Sequence, residues 1–163
     1  MNAGDNNLSA VKDLYQNLLT AWNNNQAVEF SVLFSEDAGL TGFDGSQMRG
    51  REDIRDQLSK IFKNHQVASY VSIVKEVRVL AQDIILLQAI VGMVPPGKSE
   101  INDKTNAFQT LIAQKINDKL LIVHFQNTPA SFHERPDLKK QMTQALQQEF
   151  DKKEKDKTRD NYL

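Results

Sequence analysis

Apolar residues recur every three or four positions in the first part of the chain. This spacing predicts an amphipathic helix over residues 7–23, which ends at three consecutive asparagines. A shorter apolar cluster at 28–34 predicts a second helix. A third is predicted to begin at Glu52 and Asp53, because a helix N-terminus favours carboxylates, and to close at Asn64.

From residue 67 onward the apolar period changes to two, which is typical of strands. Four strands joined mostly by short turns are predicted at 67–79, 84–94, 105–115 and 120–128. Leu40 begins a briefer strand-like stretch ahead of a tight turn at 42–45, and Pro136 begins a last helix. This order predicts an α+β fold, with the helices on one side of an antiparallel meander.

The central strands are apolar on both faces, unlike a sheet with one solvated side. Ile84 and Leu86 point to one face, whereas Ile85 and Leu87 point to the other. The helical stripes cover one face, and the second also needs a cover, because exposed apolar patches of several hundred Å² are uncommon on monomers. The last helix is one candidate. A second copy of the chain, packed sheet against sheet about a twofold axis, is the preferred one.

Composition narrows the function classes without selecting one. The 163 residues suit a single domain over 1–150, followed by a charged, frayed tail at 151–163. The net charge of -1 gives no general attraction to nucleic acid or to anionic membranes. Cysteine is absent, which excludes disulfides and thiolate chemistry. The N-terminus lacks the apolar core of a signal peptide, so a cytoplasmic protein without membrane contact is expected.

Several short motifs resemble a known superfamily. They are the segment Phe34-Ser35-Glu36-Asp37-Ala38, the turn Gly42-Phe43-Asp44-Gly45, and Arg49-Gly50-Arg51. Together they resemble members of the nuclear transport factor 2-like superfamily. The stretch 125–130, Phe-Gln-Asn-Thr-Pro-Ala, with Phe132-His133 after it, resembles the SgcJ/EcaC group, relatives of the SnoaL-like polyketide cyclases. The resemblance covers residues 8–146.

The resemblance implies a cystatin-like cone, in which a curved antiparallel sheet wraps around the N-terminal helices and leaves a cavity at the wide end. It also implies dimers through the sheet. The SgcJ/EcaC group often carries the label oxidoreductase. Here no glycine-rich dinucleotide fingerprint follows a strand, and no cofactor is expected.

Asp44 and His133 are the candidate catalytic residues. A carboxylate beside the aromatic ring of Phe43 can have a raised pKa and act as a general base; alternatively, Asp44 bonds its own turn backbone. His133 lies within the resembling motif. Arg49 is a candidate for anion binding near a helix start, or else forms a surface salt bridge. The three histidines lack metal-ligand spacing, so no metal is expected.

Buried amides supply the other polar candidates. Gln109, Gln126 and Asn127 fall on predicted strands, where an unpaired amide costs about 1–3 kcal/mol. They either bond one another or orient a ligand, and Gln126 and Asn127 point to opposite faces. His124 is a further candidate ligand contact or a core histidine. Tyr70 is a candidate ligand contact. The candidate wall residues, which are alternatively plain core, are Trp22, Phe34, Phe43, Met93, Phe108 and Phe125.

Two hypotheses follow from these observations. The first is a pocket protein that binds a small, largely apolar molecule, with acid–base chemistry of the isomerase, cyclase or dehydratase kind as its catalytic version. The second is an accessory or assembly dimer without turnover, whose cavity is filled by its own side chains.

Overall fold

The structure is a computed structural model that describes residues 3–162. The helices are α1 Ala3–Asn23, α2 Ala27–Ser31, α3 Arg51–Asn64 and α4 Pro136–Asp160. The strands are β1 Phe34–Thr41, β2 Gln47–Arg49, β3 Ser69–Ala81, β4 Ile84–Val94, β5 Asn102–Ile116 and β6 Lys119–Pro129. The predicted α+β class is confirmed. None of the described helices is long and apolar enough to cross a membrane.

The sheet is open and mixed, with the strand order β2-β1-β6-β5-β4-β3. Strands β3 to β6 form the predicted antiparallel meander. The expectation of a fully antiparallel sheet is wrong at one place, because β1 pairs with β6 in parallel, with Leu40 opposite Phe125. Parallel neighbours need a long crossover, and α3 with the first three strands of the meander supplies it. Sequence periodicity missed β2, which has three residues.

Helix α1 packs across one face of the sheet, here called the inner face. Its buried side chains include Val11, Tyr15 and Leu18, which meet the inner residues Leu87 and Leu111 of β4 and β5. The fully buried stripe matches the helical period that predicted α1, since positions three or four apart share a helix face.

Helix α4 lies on the opposite, outer face, so the prediction of all helices on one side is wrong. Its Leu146 and Met142 cover Val71, Ile90 and Val94 at one end of that face. The approach is close at Gly92, where a Cβ would lie 3.0 Å from Leu146 Cδ1. One of the two covers foreseen for the second apolar face is therefore present, over part of it.

The charged end of the chain differs from the expected frayed tail, because α4 continues to Asp160. The side chains of residues 151–160 are exposed, as expected of a solvated segment. Lysine, glutamate and arginine are good helix formers, and Lys153 and Lys157 approach Glu149 and Glu154 one turn earlier. Local propensity and charge pairing therefore favour the helix where tertiary packing contributes nothing.

An irregularity in β6 changes which residues face inward. His124 pairs with Ile112, yet the next residue of β5, Ala113, pairs with Ile122. The extra residue between them, Val123, is a β-bulge. Ile122 and Phe125 therefore both belong to the inner core, whereas strict alternation had placed them on opposite faces.

Candidate functional site

A cavity of about 300 Å³ lies on the inner side of the sheet, between α1, α3 and the turn after β1. Seven residues selected from the sequence line it: Trp22, Phe43, Asp44, Tyr70, Met93, Phe125 and Asn127. Its walls are otherwise mostly aliphatic and aromatic, with Leu18, Phe30, Leu40, Met48, Leu58 and Ile61 among them. A concave apolar space with few polar groups is the usual form of a small-molecule site.

Sequence reasoning missed the contributions of α3 and β2 to this wall. Leu58 and Ile61 were assigned to the buried stripe of α3, and that stripe faces the cavity as well as the core. Met48 lies on β2, an element too short for periodicity to detect, and its side chain is buried. The alternation of exposed Gln47, buried Met48 and exposed Arg49 is the local signal that could have revealed it.

Five of the twelve predicted site residues are absent from the lining; Gln109 belongs to a buried hydrogen-bond chain described below, and the other four lie elsewhere. His124 and Gln126 face the outer side, where His124 Nε2 lies 3.1 Å from Gln126 Oε1. His133 is 91% exposed in the loop before α4. Arg49 is exposed, and its side-chain Nη2 donates to Gln47 Oε1. The structure therefore brings neither His133, His124, Gln126 nor Arg49 to the cavity.

Asp44 lies at the mouth of the cavity in the turn Gly42–Ser46. The backbone N–H of Ser46 donates to Asp44 Oδ1 at 2.9 Å, which is the turn geometry foreseen as the alternative to a general base. Hydrogen bonds from Ser46 hold the pKa of this exposed carboxyl below its ordinary value. The expectation of a raised pKa is therefore wrong, because the aromatic neighbour does not bury the carboxylate and the turn stabilises its charge.

A chain of buried hydrogen bonds runs beneath the cavity. The Tyr15 hydroxyl of α1 donates to Gln109 Oε1 at 2.6 Å and also contacts Ser72 Oγ at 2.8 Å. Gln109 Nε2 donates to Asn127 Oδ1 at 2.9 Å, and Asn127 Nδ2 donates to the carbonyl of Thr41 at 3.3 Å. Four strands and α1 are thus joined through side chains.

The Thr41 carbonyl fixes which groups donate and which accept along these hydrogen bonds. The Thr41 carbonyl can only accept, so Asn127 must turn its Nδ2 toward it and its Oδ1 toward Gln109. Gln109 must then donate through Nε2, and its Oε1 accepts from Tyr15. The Tyr15 oxygen is left to accept from the hydroxyl of Ser72. Burial raises the pKa of Tyr15 well above its ordinary value, which keeps this donor protonated.

Tyr70 supplies a second phenol, from β3, on a half-buried side chain. Its ring lies against Trp22 with the ring centroids 5.3 Å apart, and its side chain lines the cavity. Burial raises the pKa of Tyr70 to about 12. Among residues 3–162, no side chain or backbone group is hydrogen-bonded to the Tyr70 hydroxyl; the strand is tied to Asn23 through the backbone of Tyr70 alone.

The aromatic wall of the cavity is held in a fixed geometry. The indole N–H of Trp22 donates to the Ala68 carbonyl at 3.0 Å, and Phe62 contacts the indole ring edge-on with centroids 5.3 Å apart. Phe30 lies on the other side of Trp22, 6.4 Å away, and stacks on Phe34. Aromatic pairs of this kind add about 0.5–1.5 kcal/mol each beyond the area they bury, so the wall is preorganised.

The charge of the lining is low. Among the residues that the structure describes, Asp44 is the one carboxylate of the lining, and no lysine, arginine or histidine belongs to it. Within the part of the chain that the structure describes, no group of three or more histidine, aspartate or glutamate side chains is placed to hold a metal ion. The cavity is therefore an apolar, aromatic space with an acidic residue at its mouth and amide and phenol groups inside.

Comparison with solved structures identifies the fold. A domain of unknown function with a cystatin-like fold from Nostoc punctiforme superposes with a TM-score of 0.74 at 22% identity, covering 85% of each chain. An uncharacterised cystatin-like protein from Caulobacter vibrioides gives 0.61 at 24% identity, over 78% of this chain and 95% of that one. A nuclear transport factor 2-like protein of unknown function from Shewanella oneidensis gives 0.56 at 16% identity, over 72% and 95%.

These likenesses confirm the predicted cystatin-like, nuclear transport factor 2-like fold. At this level of identity they show the fold alone. Scans against models of known protein families and against curated proteins give no match. The closer assignment to the SgcJ/EcaC group stays a prediction.

Proposed function

We propose that this protein binds a small, neutral, largely apolar molecule in the cavity between α1, α3 and the inner face of the sheet. The observation that carries the proposal is an open space of about 300 Å³ beside a tightly packed core. Protein interiors contain few voids larger than a water molecule, so a space of this size beside Leu18 and Leu58, which are at most 1% exposed, calls for an occupant.

The walls select the character of that occupant. The lining contains no cationic side chain to compensate an anion, and the carboxylate of Asp44 at the mouth repels one. Trp22, Phe30, Phe43, Tyr70 and Phe125 provide flat apolar surfaces that suit a planar ligand. The volume lies at the lower end of the range of about 300–1,000 Å³ for ligand pockets, which favours a molecule of one or two rings.

The lowered pKa of Asp44 and the exposed position of His133 favour binding over proton-transfer chemistry. A carboxyl with a lowered pKa is a weaker base than an ordinary aspartate, and Asp44 has such a carboxyl. His133, the other candidate catalyst, lies in an exposed loop outside the cavity lining. The proposal is therefore a binding protein, with acid–base turnover as a secondary hypothesis that rests on Asp44 alone.

The test uses Trp22, the sole tryptophan of the chain, which lines the cavity. Prodan is a neutral aromatic dye whose emission moves to shorter wavelength in apolar surroundings. We expect saturable binding of prodan with energy transfer from Trp22 and displacement by neutral aromatic compounds. Absence of saturable transfer at millimolar protein and dye would refute the proposal.

A cavity-filling variant locates the dye. Met93→Phe adds bulk to the cavity wall and should weaken prodan binding at least about tenfold. Leu80→Phe is the matched control, since Leu80 is 46% exposed on β3 and outside the lining. Equal affinity of the two variants would place the dye elsewhere on the molecule.

The outer face of the sheet supports a second proposal, that the protein forms a homodimer through this face. Helix α4 covers one end of it, and beyond that end Leu86 and Ile112 are half-buried while Phe108 is 40% exposed. Leu86 pairs with Ile112, and a polar row of Gln88, Thr110 and Gln126 separates this pair from Phe108, which pairs with Ile90. Such a surface can pack against its own copy about a twofold axis.

Light scattering after size exclusion tests the dimer. We expect twice the chain mass at micromolar concentration, and a single chain mass for Ile112→Glu, which places a charge at the centre of the face. A wild-type protein that stays monomeric at high micromolar concentration would sink the dimer proposal and leave the cavity proposal standing.

A further inference from the structure

The hydrogen-bonding groups of the cavity are divided between acceptors on α3 and the turn after β1, namely Gln57 Oε1 and the Asp44 carboxylate, and donors on the sheet. The indole N–H of Trp22 is used on Ala68, and the amide nitrogen of Gln57 is used on Asp53. Two groups keep a hydrogen for an incoming molecule. They are the hydroxyl of Tyr70 and the second hydrogen of Asn127 Nδ2, whose first goes to Thr41.

The Asn127 amide cannot reverse its role to suit another ligand. Its orientation is imposed by the Thr41 carbonyl and by Gln109, which is fully buried and itself committed to Tyr15. A flipped Asn127 would set two acceptors against each other at Thr41 and two donors at Gln109. The wall therefore presents a fixed N–H to the cavity, and the buried chain beneath holds it there.

The Tyr70 hydroxyl is the stronger of the two recognition elements. It has no hydrogen-bond partner among the described residues, and the half-buried side chain lies against Trp22 and lines the cavity. Its oxygen is not one of the fully buried side-chain atoms without a partner, so water can reach it in the free protein, and a ligand acceptor would replace that water. A phenol can donate or accept, whereas the spare N–H of Asn127 can only donate.

We propose that the ligand carries a carbonyl-type acceptor, which receives a hydrogen bond from the Tyr70 hydroxyl. An acceptor on the ligand suits both groups of the wall, whereas a donor would leave the Asn127 N–H unpaired. A neutral aromatic or alicyclic ketone or aldehyde carries such an acceptor without a charge. A plain hydrocarbon has no acceptor, and a carboxylate brings a negative charge that the lining does not compensate. This inference rests on the proposed function, because it names the class of molecule bound in the same cavity.

The experiment pairs two ligands of nearly the same shape. Acetophenone carries a carbonyl oxygen where α-methylstyrene carries a CH₂ group. Both are measured by displacement of prodan from the wild-type chain, from Tyr70→Phe and from Tyr162→Phe, the last a control at an 86% exposed tyrosine. For each ligand, the readout is the change in dissociation constant caused by removing the hydroxyl. The dissociation constants of the two ligands are not compared directly, because the hydrocarbon gains more from leaving water in every variant.

We expect Tyr70→Phe to weaken acetophenone by about threefold to tenfold and α-methylstyrene by less than about twofold. Tyr162→Phe should change neither. A carbon-13 label at the ketone should move upfield in bound Tyr70→Phe relative to the bound wild type, because the carbonyl loses a donor. A purely structural role for Tyr70 would weaken both ligands together and leave the carbonyl signal in place.

Two outcomes overturn the inference and separate it from the proposed function. If both ligands bind the wild type and Tyr70→Phe affects them equally, the carbonyl class is wrong and the cavity proposal stands. If neither ligand displaces prodan and prodan itself fails to bind, the cavity proposal fails and the inference fails with it.

Discussion

Gln109 is the residue whose loss tests the buried hydrogen-bond chain. It is fully buried on β5 and joins the Tyr15 hydroxyl, at 2.6 Å, to Asn127 Oδ1, at 2.9 Å. Replacement by leucine keeps the volume close to that of glutamine and removes both bonds. Asn127 Oδ1 and the Tyr15 hydroxyl then both lose their bonds to Gln109, and Ser72 Oγ, 2.8 Å away, stays as a partner of the Tyr15 hydroxyl.

The expected cost in unfolding free energy follows from the loss of these two buried hydrogen bonds. Each buried group that loses such a bond costs about 1–3 kcal/mol. Asn127 borders the cavity, where a water can pair with it, so its cost lies at the low end and the sum is about 2–4 kcal/mol. For a domain of this length each kcal/mol shifts the melting temperature by about 2–4 °C, which predicts a fall of about 4–16 °C.

The assay is urea unfolding followed by circular dichroism, with Gln88→Leu as the matched control. Gln88 lies on β4, one register position away, but faces outward, is half-buried, and donates to Thr110 at 3.3 Å. We expect that control to stay within about 0.5 kcal/mol of the wild type. The double variant Tyr15→Phe with Gln109→Leu should cost less than the sum of its singles, because each single variant already removes the bond between Tyr15 and Gln109.

The reasoning is refuted if Gln109→Leu is as stable as Gln88→Leu. It is also refuted if the Tyr15 and Gln109 effects add without coupling, because two residues joined by a buried 2.6 Å bond must report on each other.

Three further predictions concern pH, charge and packing. Burial raises the pKa of Tyr15 and Tyr70, so the folded state keeps protons that the unfolded chain releases, and stability should fall as pH rises above about 10; the urea midpoint should fall less in Tyr70→Phe. Benzoate should displace prodan at least about tenfold less well than acetophenone, since the lining has no cation. Gly92→Val should cost about 1–3 kcal/mol by pushing α4 away, whereas Gly4→Ala, with open space around it, should not destabilise the fold; equal melting temperatures would contradict this.

Helices were the most predictable part of the fold, because their stripes are local. The stripe containing Val11, Tyr15 and Leu18 located α1 within a few residues at its start. Apolar spacing marks α4 only as far as Phe150, while helix propensity and charge pairing continue the helix to Asp160. Periodicity detects burial, and an exposed helix end has none.

Strand pairing was less accessible from the sequence. The parallel pairing of β1 with β6 joins Leu40 to Phe125, residues separated by most of the chain, and no local pattern encodes such a contact. The bulge at Val123 also has no local sequence signal, although it causes Ile122 to face inward. Both features depend on how the whole open sheet packs against α1.

For the site, apolar candidates were located better than titratable ones. Trp22, Met93 and Phe125 line the cavity because buried apolar positions of α1 and the inner strands converge on it. His133 was selected because it lies within the resembling motif and His124 because an imidazole lies on an apolar strand, and neither ground carries information on the face that a residue occupies. Asn127 was placed correctly opposite Gln126 by strand alternation, which is a geometric argument.

Methionine methyl signals test the cavity proposal most directly. The chain has four methionines, of which Met48 and Met93 line the cavity, while Met142 of α4 packs against the outer face of the sheet. In protein labelled with carbon-13 at the methionine methyl groups, a titration with acetophenone should shift Met48 and Met93 in a saturable manner and leave Met142 unmoved. Shifts confined to Met142, or no saturable shift in any of the three, would contradict a ligand site on the inner face of the sheet.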